Sequence, residues 1–388
     1  MTSWLKDFSF SAVTAGFVAV LIGFASSVAI IFQAAQAAGA NSAQTESWIW
    51  ALGIGMGVAT FALSAYFKKP IIIVWSTPGA ALLASTLQSE GIAQATGVFI
   101  AVGVLIVLVG LSGMFNRLTK LIPLPLASAM LAGILLQFGL GIFTALEQDA
   151  LLVLLMVAAF VLAKKWVARY AVLVVLAVGA IYSLYFTNMT PLDLNWSFAS
   201  PEWVSPVFSL SAIIGIGLPL FIVTMASQNM PGVAILKSSG YAQQSISPII
   251  STTGFTTLAL APFGGFTFNL AAITAAICTG EEAHKDPDKR YIAGLSAGVF
   301  NVLAGIFATA VVALFTAFSQ SMIAVLAGLA LISTITASIQ GALADNDSRD
   351  AAIMTFLLTA SGVSIFGIAS AFWGLLVGLI IYLMRARI

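Results

Sequence analysis

Apolar residues occur along this chain in long blocks, and polar residues are confined to the short stretches between them. Blocks of this length and apolarity are typical of segments that cross a lipid bilayer. We therefore expect an all-α polytopic membrane protein. The pattern predicts fourteen segments, with approximate bounds 8–38, 47–67, 70–88, 91–115, 121–145, 150–163, 167–187, 207–236, 242–260, 264–280, 290–318, 320–342, 350–364 and 366–384.

The longest polar interruption, 187–206, divides the predicted segments into two halves of seven. Because seven is odd, the second half enters the membrane from the opposite side, and two halves of one shared fold would form an inverted repeat. Amides at corresponding places support this arrangement. Gln33 and Gln36 end the first segment, and Gln228 and Asn229 lie in the eighth.

Charge predicts the orientation of the segments. Threading the chain through a bilayer puts all 15 Lys and Arg residues on one face. Basic residues near span ends are retained in the cytoplasm, so we expect both termini to be cytoplasmic and the 187–206 linker to be external. The opposite face receives only acids, namely Glu46, Glu90, Glu147, Asp149, Asp193 and Glu202.

Composition narrows the function classes. The chain is 60% hydrophobic and 7% charged, which excludes a soluble domain of ordinary composition. It lacks a basic patch with interleaved aromatic residues, so we expect no nucleic-acid partner. With one cysteine, Cys278, and one histidine, His284, we expect no cofactor and no metal site. The polar loop 281–290 could bind a metal or relay protons, but a solvated loop of paired charges is the simpler interpretation.

The third segment is interrupted. Four β-branched residues, Ile71 to Val74, favour an extended chain. Ser76 or Thr77 followed by Pro78 is a helix start, with a hydroxyl N-cap and proline in the first turn. We predict a strand followed by a half-helix that begins near the middle of the membrane. The alternative is a proline kink in one continuous helix.

The tenth segment has a similar pattern. Phe266, Thr267 and Phe268 suggest an extended stretch, Asn269 is a good N-cap, and an alanine-rich helix follows. In the alternative interpretation, Asn269 only joins neighbouring helices by hydrogen bonds. Two interrupted segments at matching places in the halves are a sequence indication of a transporter site.

The two half-helices predict an anion site. Both N-termini would point to the middle of the membrane, where each contributes an effective charge of about +0.5. No Lys, Arg or His falls there, and nearby aromatic residues would suit a small aromatic carboxylate. The neighbouring amides could instead only hold helices together. The predicted substrate-binding residues are Ser76, Thr77, Gly79, Gln33, Gln228, Asn229, Thr267, Phe268, Asn269 and Leu270.

Several strings resemble one family. They are Phe24-Ala25-Ser26-Ser27, Trp75-Ser76-Thr77-Pro78-Gly79-Ala80-Ala81-Leu82, Thr224-Met225-Ala226-Ser227-Gln228-Asn229, Ala271-Ala272-Ile273-Thr274-Ala275-Ala276-Ile277-Cys278 and Glu282-Ala283-His284. Together they resemble the benzoate:proton symporter (BenE) family of bacterial inner-membrane proteins, over essentially the whole chain. That family is in turn similar to uracil and xanthine permeases and to anion exchangers.

The resemblance implies import of benzoate or a similar small aromatic carboxylate, coupled to protons. It also implies a core domain, 8–115 and 207–318, that moves in an elevator-like way against a gate domain, 121–187 and 320–388. A homodimer is compatible with it. Uracil-type relatives have glutamates on the eighth and tenth segments, where this chain has Ser227 or Gln228 and Phe268 or Asn269. The absence of these carboxylates fits an anionic substrate but leaves the proton carrier unassigned: the proton could travel on Glu90, on a loop acid, or with the substrate as benzoic acid.

Three other functions stay open at this stage. A passive anion channel or exchanger would use the same fold. A nucleobase permease is disfavoured by the missing carboxylates. An enzyme would need a nucleophile, metal ligands or an acid–base pair at membrane depth, and the sequence offers none.

Overall fold

The computed structural model of this chain describes residues 7–115, 117, 123–186, 197–241 and 243–385. Most of this length is helical. In chain order, the elements are α1 (Phe10–Ala37), α2 (Ser42–Phe67), β1 (Ile73–Trp75), α3 (Thr77–Thr86), α4 (Ile92–Ser112), α5 (Leu124–Thr144), α6 (Ala150–Trp166), α7 (Ala171–Phe186), α8 (Leu210–Tyr241), α9 (Ser247–Leu260), β2 (Phe268–Leu270), α10 (Ile273–Thr279), α11 (Tyr291–Ile306), α12 (Ala308–Thr316), α13 (Gln320–Leu343), α14 (Arg349–Ala360) and α15 (Ser370–Arg385).

The predicted segments all contain helix. The third and tenth each consist of a strand followed by a short helix. Within the described residues, six helices are long and apolar enough to cross a membrane alone, and the bent pair α11 and α12 would make a seventh span. A multi-pass helical architecture is therefore confirmed, while the count of fourteen crossings stays a prediction. Lys6, Lys120, Arg387 and the first part of the 187–206 linker lie outside the described residues.

Helix α8 is irregular. Two stretches, Ile213–Gly217 and Thr224–Asn229, have the wider turns of a π-helix, and the last stretch, Lys237–Tyr241, is kinked at Gly240, whose φ of 95° is not helical. Turns of the π type are rare and frequently occur at functional sites. The second π stretch contains the predicted amides Gln228 and Asn229 and packs against β2.

The two strands pair with each other, which joins the third and tenth segments directly. They run antiparallel, with Ile73 opposite Leu270, Val74 opposite Asn269 and Trp75 opposite Phe268. Two backbone bonds beyond the strand ends extend this ribbon, from Ser76 N to Thr267 O at 3.0 Å and from Ala271 N to Ile72 O at 2.9 Å. The sequence predicted each strand, but it did not predict their pairing.

The start of the tenth half-helix differs from its prediction. The strand is Phe268–Leu270 rather than Phe266 to Phe268, and Asn269 lies in its middle. The helix N-cap is Ala272, so the prediction that Asn269 caps this helix was wrong. Pairing with Val74 holds Asn269 in an extended conformation, and this tertiary contact overrides its local preference for a cap.

The helices pack mainly in two groups. In one, α2 packs on α11, α4 on α9, and α1 on both α3 and α11; in the other, α5 packs on α13 and α14, and α14 on α15. Close approach of α2 and α11 requires glycine, because a methyl group at Gly53 would lie 2.5 Å from Gly305 Cα. The groups meet where α13 contacts α1 and where α3 contacts α5.

Candidate functional site

Three hydroxyl groups meet where the third and tenth segments contact α8. Thr224 Oγ1 lies 3.2 Å from Ser76 Oγ and 3.1 Å from Thr267 Oγ1, and it can donate to either. Ser76 Oγ also accepts from Gly79 N at 3.0 Å, which caps α3 as the sequence predicted. Ser76, Thr224 and Thr267 are fully buried. This hydroxyl cluster fixes the beginning of α3 against both other elements.

Side chains from neighbouring helices complete the outer edges of the ribbon. Thr60 Oγ1 accepts from Ile73 N at 2.9 Å and lies 3.2 Å from Ile73 O, to which it donates. On the other strand, Asn229 Oδ1 accepts from Leu270 N at 3.0 Å. A sheet edge at membrane depth needs such partners, because lipid offers none. Asn229 therefore holds the ribbon rather than facing an open space.

Asn269 combines complete burial with an incomplete set of hydrogen bonds. Its Nδ2 donates to Leu270 O at 2.9 Å. Its Oδ1 has no partner among the described residues, although it is shielded from solvent. An unsatisfied buried acceptor costs about 1–3 kcal/mol, so its position calls for a ligand, a water molecule or a functional reason.

An open cavity of about 960 Å³ lies between the two groups of helices. Its walls are the C-terminal ends of α1 and α3, the middle of α5, single residues of α8 and α13, and the α14–α15 connection. Polar groups in its lining include Gln33, Gln36, Gln88, Gln137, Glu90 and Ser370. Helix α14 begins at Arg349 and α15 ends at Arg385, so the cavity lies at the opposite ends of these helices from their arginines.

The structure divides the predicted site residues into two sets. Of the ten, Gln33 lines the cavity, and the others belong to the ribbon and its surroundings. Among those others, Thr77 and Gln228 are half-buried. The side-chain polar groups of Gln33, Thr77 and Gln228 make no hydrogen bond to the described part of the chain. Those three groups are therefore available to a ligand.

The remaining predicted residues have structural partners or positions. Phe268 and Leu270 are buried in β2, and Gly79 packs so closely on α8 that a methyl group there would lie 2.7 Å from Leu220 Cδ1. Two of the aromatic residues near the interrupted segments, Phe32 and Trp75, also have protein partners: the Phe32 ring stacks on that of Phe315 with 5.3 Å between centroids, and Trp75 Nε1 donates to Ser27 Oγ at 2.9 Å. The aromatic side chain that lines the cavity is instead Phe138.

Sequence reasoning missed several polar residues that the fold brings to this region. Thr224 stands in the same string as the predicted amides Gln228 and Asn229, but no local signal distinguishes it. Thr60 is one of several hydroxyl residues in α2, and its role depends on Ile73 of β1, which follows 13 residues later. Gln137 and Ser370 line the cavity from distant parts of the chain.

The polar loop after α10 is organised by Arg290. This nearly buried side chain donates from Nη1 to Thr279 O at 2.8 Å and from Nε to His284 O at 2.7 Å. His284 Nδ1 accepts from Asp286 N at 2.9 Å. Within the described residues, no three His, Cys, Asp or Glu side chains lie close enough to hold a metal ion.

Comparison with known families identifies the chain. The family model described as benzoate membrane transport protein, BenE, matches residues 6–384. The chain belongs to the BenE family. This BenE chain is 46% identical to inner membrane protein YdcO of Escherichia coli over 370 residues, which are 95% of this chain and 94% of YdcO. It is 41% identical to the benzoate membrane transport protein of Acinetobacter baylyi over 391 residues, covering 100% of this chain and 99% of that protein.

Solved structures share the fold of the BenE chain. The transmembrane domain of BicA, a cyanobacterial bicarbonate transporter, has a TM-score of 0.61 at 15% identity, over 97% of this chain and 98% of that one. SLC26A9 has a TM-score of 0.67 at 13% identity, over 99% of this chain and 67% of that one. Membership of the BenE family makes this chain a membrane transporter and not an enzyme.

Proposed function

We propose that this protein imports benzoate, or a similar small aromatic carboxylate, across the bacterial inner membrane by proton symport. The observation that carries the proposal is the match to the benzoate membrane transport family over residues 6–384. A relative with that name, 41% identical over the full chain, supports the substrate class. The name of YdcO supports the inner membrane as the location.

The transport cycle that we propose is an elevator-like movement of a core domain, 8–115 and 207–318, against a gate domain, 121–187 and 320–388. Fourteen crossings in two inverted halves of seven would build these domains, with both termini cytoplasmic. The paired strand–helix segments support the repeat, and the cavity between the two groups of helices supports the division. In this orientation the cavity opens to the outside, away from Arg349 and Arg385.

Benzoate would bind where the cavity approaches the ribbon. Gln33, Thr77 and Gln228 supply polar groups without protein partners, and an amide or hydroxyl can donate to a carboxylate. The partial positive charge at the N-terminus of α3 would add attraction without a basic side chain. Asn269 Oδ1 is the free acceptor of the ribbon and would suit a ligand that donates a proton or a bridging water molecule.

Symport is favoured by the energy of moving an anion. Importing one negative charge against an inside-negative potential costs about 2.3 kcal/mol for each 100 mV. A proton that travels with the carboxylate cancels the charge and removes this cost. A second candidate, a passive anion channel or exchanger, is favoured by the fold shared with murine SLC26A9, which is described as an anion transporter.

Uptake of labelled benzoate by proteoliposomes tests these alternatives. With an inward proton gradient, symport should drive accumulation by about tenfold for each unit of pH difference. The initial rate should exceed that of protein-free liposomes, which correct for benzoic acid that crosses lipid unaided. A protein-dependent uptake rate that does not change with the proton gradient would favour a channel or exchanger. Equal rates with and without protein would contradict benzoate transport altogether.

A further inference from the structure

A second open space, an apolar groove of about 340 Å³, lies along the contact between α2 and α11. Gly57 and Gly298 bring the two backbones together there, since a methyl group at Gly57 would lie 2.7 Å from Gly298 O. The side chains of Val58, Phe61 and Val299 line the groove beside these glycines. Among the described residues, no polar side chain contributes to its lining.

The groove opens to lipid. Val58 is 56% and Val299 is 47% exposed, and the residues that line the groove differ from those that line the large cavity. Helix α2 is long and apolar enough to cross a membrane, and the groove lies within its length. Water finds no polar partner in such a space, and an empty groove would forfeit packing contacts. An apolar chain from the surrounding lipid fits it.

The depth of the groove matches the acyl chains of one leaflet. Helix α2 ends with Lys68 as its C-cap. Ala62 lies six residues before Lys68 and Gly57 lies eleven before it, so the groove extends from about 9 to about 17 Å below this end of the helix. Half of the hydrocarbon core is about 15 Å thick. The groove therefore lies in the leaflet next to Lys68, which is the inner leaflet in the orientation that we propose.

Two lysines lie at the headgroup end of the groove. Lys68 follows Phe61 by seven residues, or two helical turns, and so lies on the same side of α2 as the groove. Lys69 comes next in the chain. Tyr66, which is 81% exposed, precedes them and suits the level of the lipid head groups, where amphipathic rings are enriched. A basic pair at this level attracts a negatively charged head group.

The cations at the start of α11 are already engaged by protein groups. Arg290 donates to Thr279 O and to His284 O. Lys289 Nζ lies 4.0 Å from Asp286 Oδ2. The positive charge that this end of the groove offers to a lipid therefore comes from the lysine pair on α2.

A lipid fits this face better than a second copy of the chain does. Two copies related by a twofold axis along the membrane normal would present the same patch to each other. Their lysine pairs would then meet at the same depth and repel. An anionic lipid brings the opposite charge to the same place.

We propose that the groove binds one acyl chain of an anionic phospholipid whose head group contacts Lys68 and Lys69. This site is separate from the transport cavity, and the inference does not depend on benzoate as the substrate. Both helices belong to the proposed core domain, 8–115 and 207–318, so the lipid would stabilise the contact between α2 and α11 and move with that domain.

Native mass spectrometry of the purified full-length protein tests the site with two probes, phosphatidylglycerol and phosphatidylcholine with identical acyl chains. The wild type should bind one phosphatidylglycerol molecule more tightly than phosphatidylcholine. Each lysine should contribute about fivefold, so replacing both by asparagine, Lys68→Asn and Lys69→Asn, should lower the affinity for phosphatidylglycerol by about 25-fold. Asparagine tolerates the left-handed conformation of Lys68, whose φ is 50°.

The matched control is the double variant Lys164→Asn and Lys165→Asn. These two exposed lysines also form an adjacent pair beside an exposed aromatic residue, Trp166, but they end α6, which does not line the groove. This variant should keep the wild-type affinity. Equal losses in both double variants would reduce the effect to a general attraction between basic residues and anionic lipid, and would overturn the site.

A second pair of variants tests the place of the acyl chain. Val58→Trp puts a large ring into the groove and should weaken phosphatidylglycerol binding severalfold. Val104→Trp makes the same change at an exposed position of α4 outside the groove and should leave binding unchanged. Equal affinities in these two variants would overturn the groove as the chain site.

A last measurement needs no variant to fold. Phosphatidylglycerol with a photoreactive group in its acyl chain should label the wild type mainly at 57–62 and 298–303, in nanodiscs of phosphatidylcholine. Labelling spread evenly over the lipid-facing helices would overturn the inference, as would a mass of two chains without bound lipid, which would assign the groove to a second copy. Neither readout involves benzoate, so this inference and the proposed function can fail separately.

Discussion

The third and tenth segments have the same plan but differ in how their helices begin. Helix α3 has 10 residues, with Ser76 as a side-chain cap and Pro78 in its first turn. Helix α10 has 7 residues, and its N-cap Ala272 makes no side-chain hydrogen bond. The strands correspond between the halves, whereas the cap chemistry does not. The two helix starts therefore differ in which of their first backbone N–H groups are already bonded, since Gly79 N of α3 donates to Ser76 Oγ.

The far ends of the same helices also differ. Helix α3 leads to Glu90 at the open cavity, whereas α10 ends at Thr279, whose carbonyl oxygen accepts from the nearly buried Arg290. A cation at a helix C-terminus stabilises the helix, and an anion there does not. The comparison teaches that the tenth segment ends in a fixed anchor, while the end of the third is left open to ligand.

The largest expected effect comes from removing the anchor. Arg290→Ala deletes two hydrogen bonds from a charged group, at 2.8 and 2.7 Å, and should lower the free energy of unfolding by about 3 kcal/mol. Unfolding in detergent, followed by tryptophan fluorescence, measures this loss. Lys289→Ala is the control at the adjacent position. Lys289 Nζ lies 4.0 Å from Asp286 Oδ2, and this solvent-exposed ion pair contributes at most about 1 kcal/mol to stability. Equal losses in both variants would contradict the anchor.

A smaller effect is expected from the two outer edges of the ribbon. Thr60→Val leaves the peptide groups of Ile73 unpaired, and Asn229→Ala leaves Leu270 N unpaired. Each should lower the free energy of unfolding by about 2 kcal/mol, because a buried polar group loses its partner. Similar losses would show that both strands depend on side chains from helices. If only one variant loses stability, the two strands differ in how much they depend on side-chain partners, as the two helix starts do.

Gln228→Ala is the control for Asn229→Ala at the neighbouring position. Its amide is half-buried and bonds to no described residue, so stability should change by less than about 0.5 kcal/mol. Under the proposed function, benzoate binding should instead weaken severalfold. The opposite pattern, with lost stability and unchanged binding, would remove Gln228 from the site.

Much of this fold could be predicted because its signals are local. Ser76 and Pro78 specify a helix start through their own backbone and side-chain chemistry, and the structure has that start. Asn269 carries an equally good cap signal, yet it lies in a strand, because Val74 pairs with it from the other half of the chain. The preference of Asn for an N-cap position is worth about 1 kcal/mol, and the pairing of the two strands outweighs it.

The cavity was less predictable than the ribbon for a related reason. Gln33 could be singled out as an amide in an apolar helix, but Gln137 and Ser370 acquire their place only from the packing of α5 against α3 and α15. The half-helix breaks indicated where the backbone is irregular. They did not indicate which helix ends would stay apart and leave space.

A last pair of variants would sharpen the comparison at the helix starts. Ser76→Ala removes the hydrogen bond from Gly79 N and should lower the free energy of unfolding by about 1 kcal/mol. Ala272→Ser offers α10 the cap that it lacks and should raise stability by a few tenths of a kcal/mol if the new hydroxyl reaches the first turn. Urea unfolding of both variants in the same detergent measures the difference. If Ala272→Ser is neutral while Ser76→Ala is destabilising, the beginning of α10 is set by the pairing of β2 alone, whereas the beginning of α3 depends on its own cap residue.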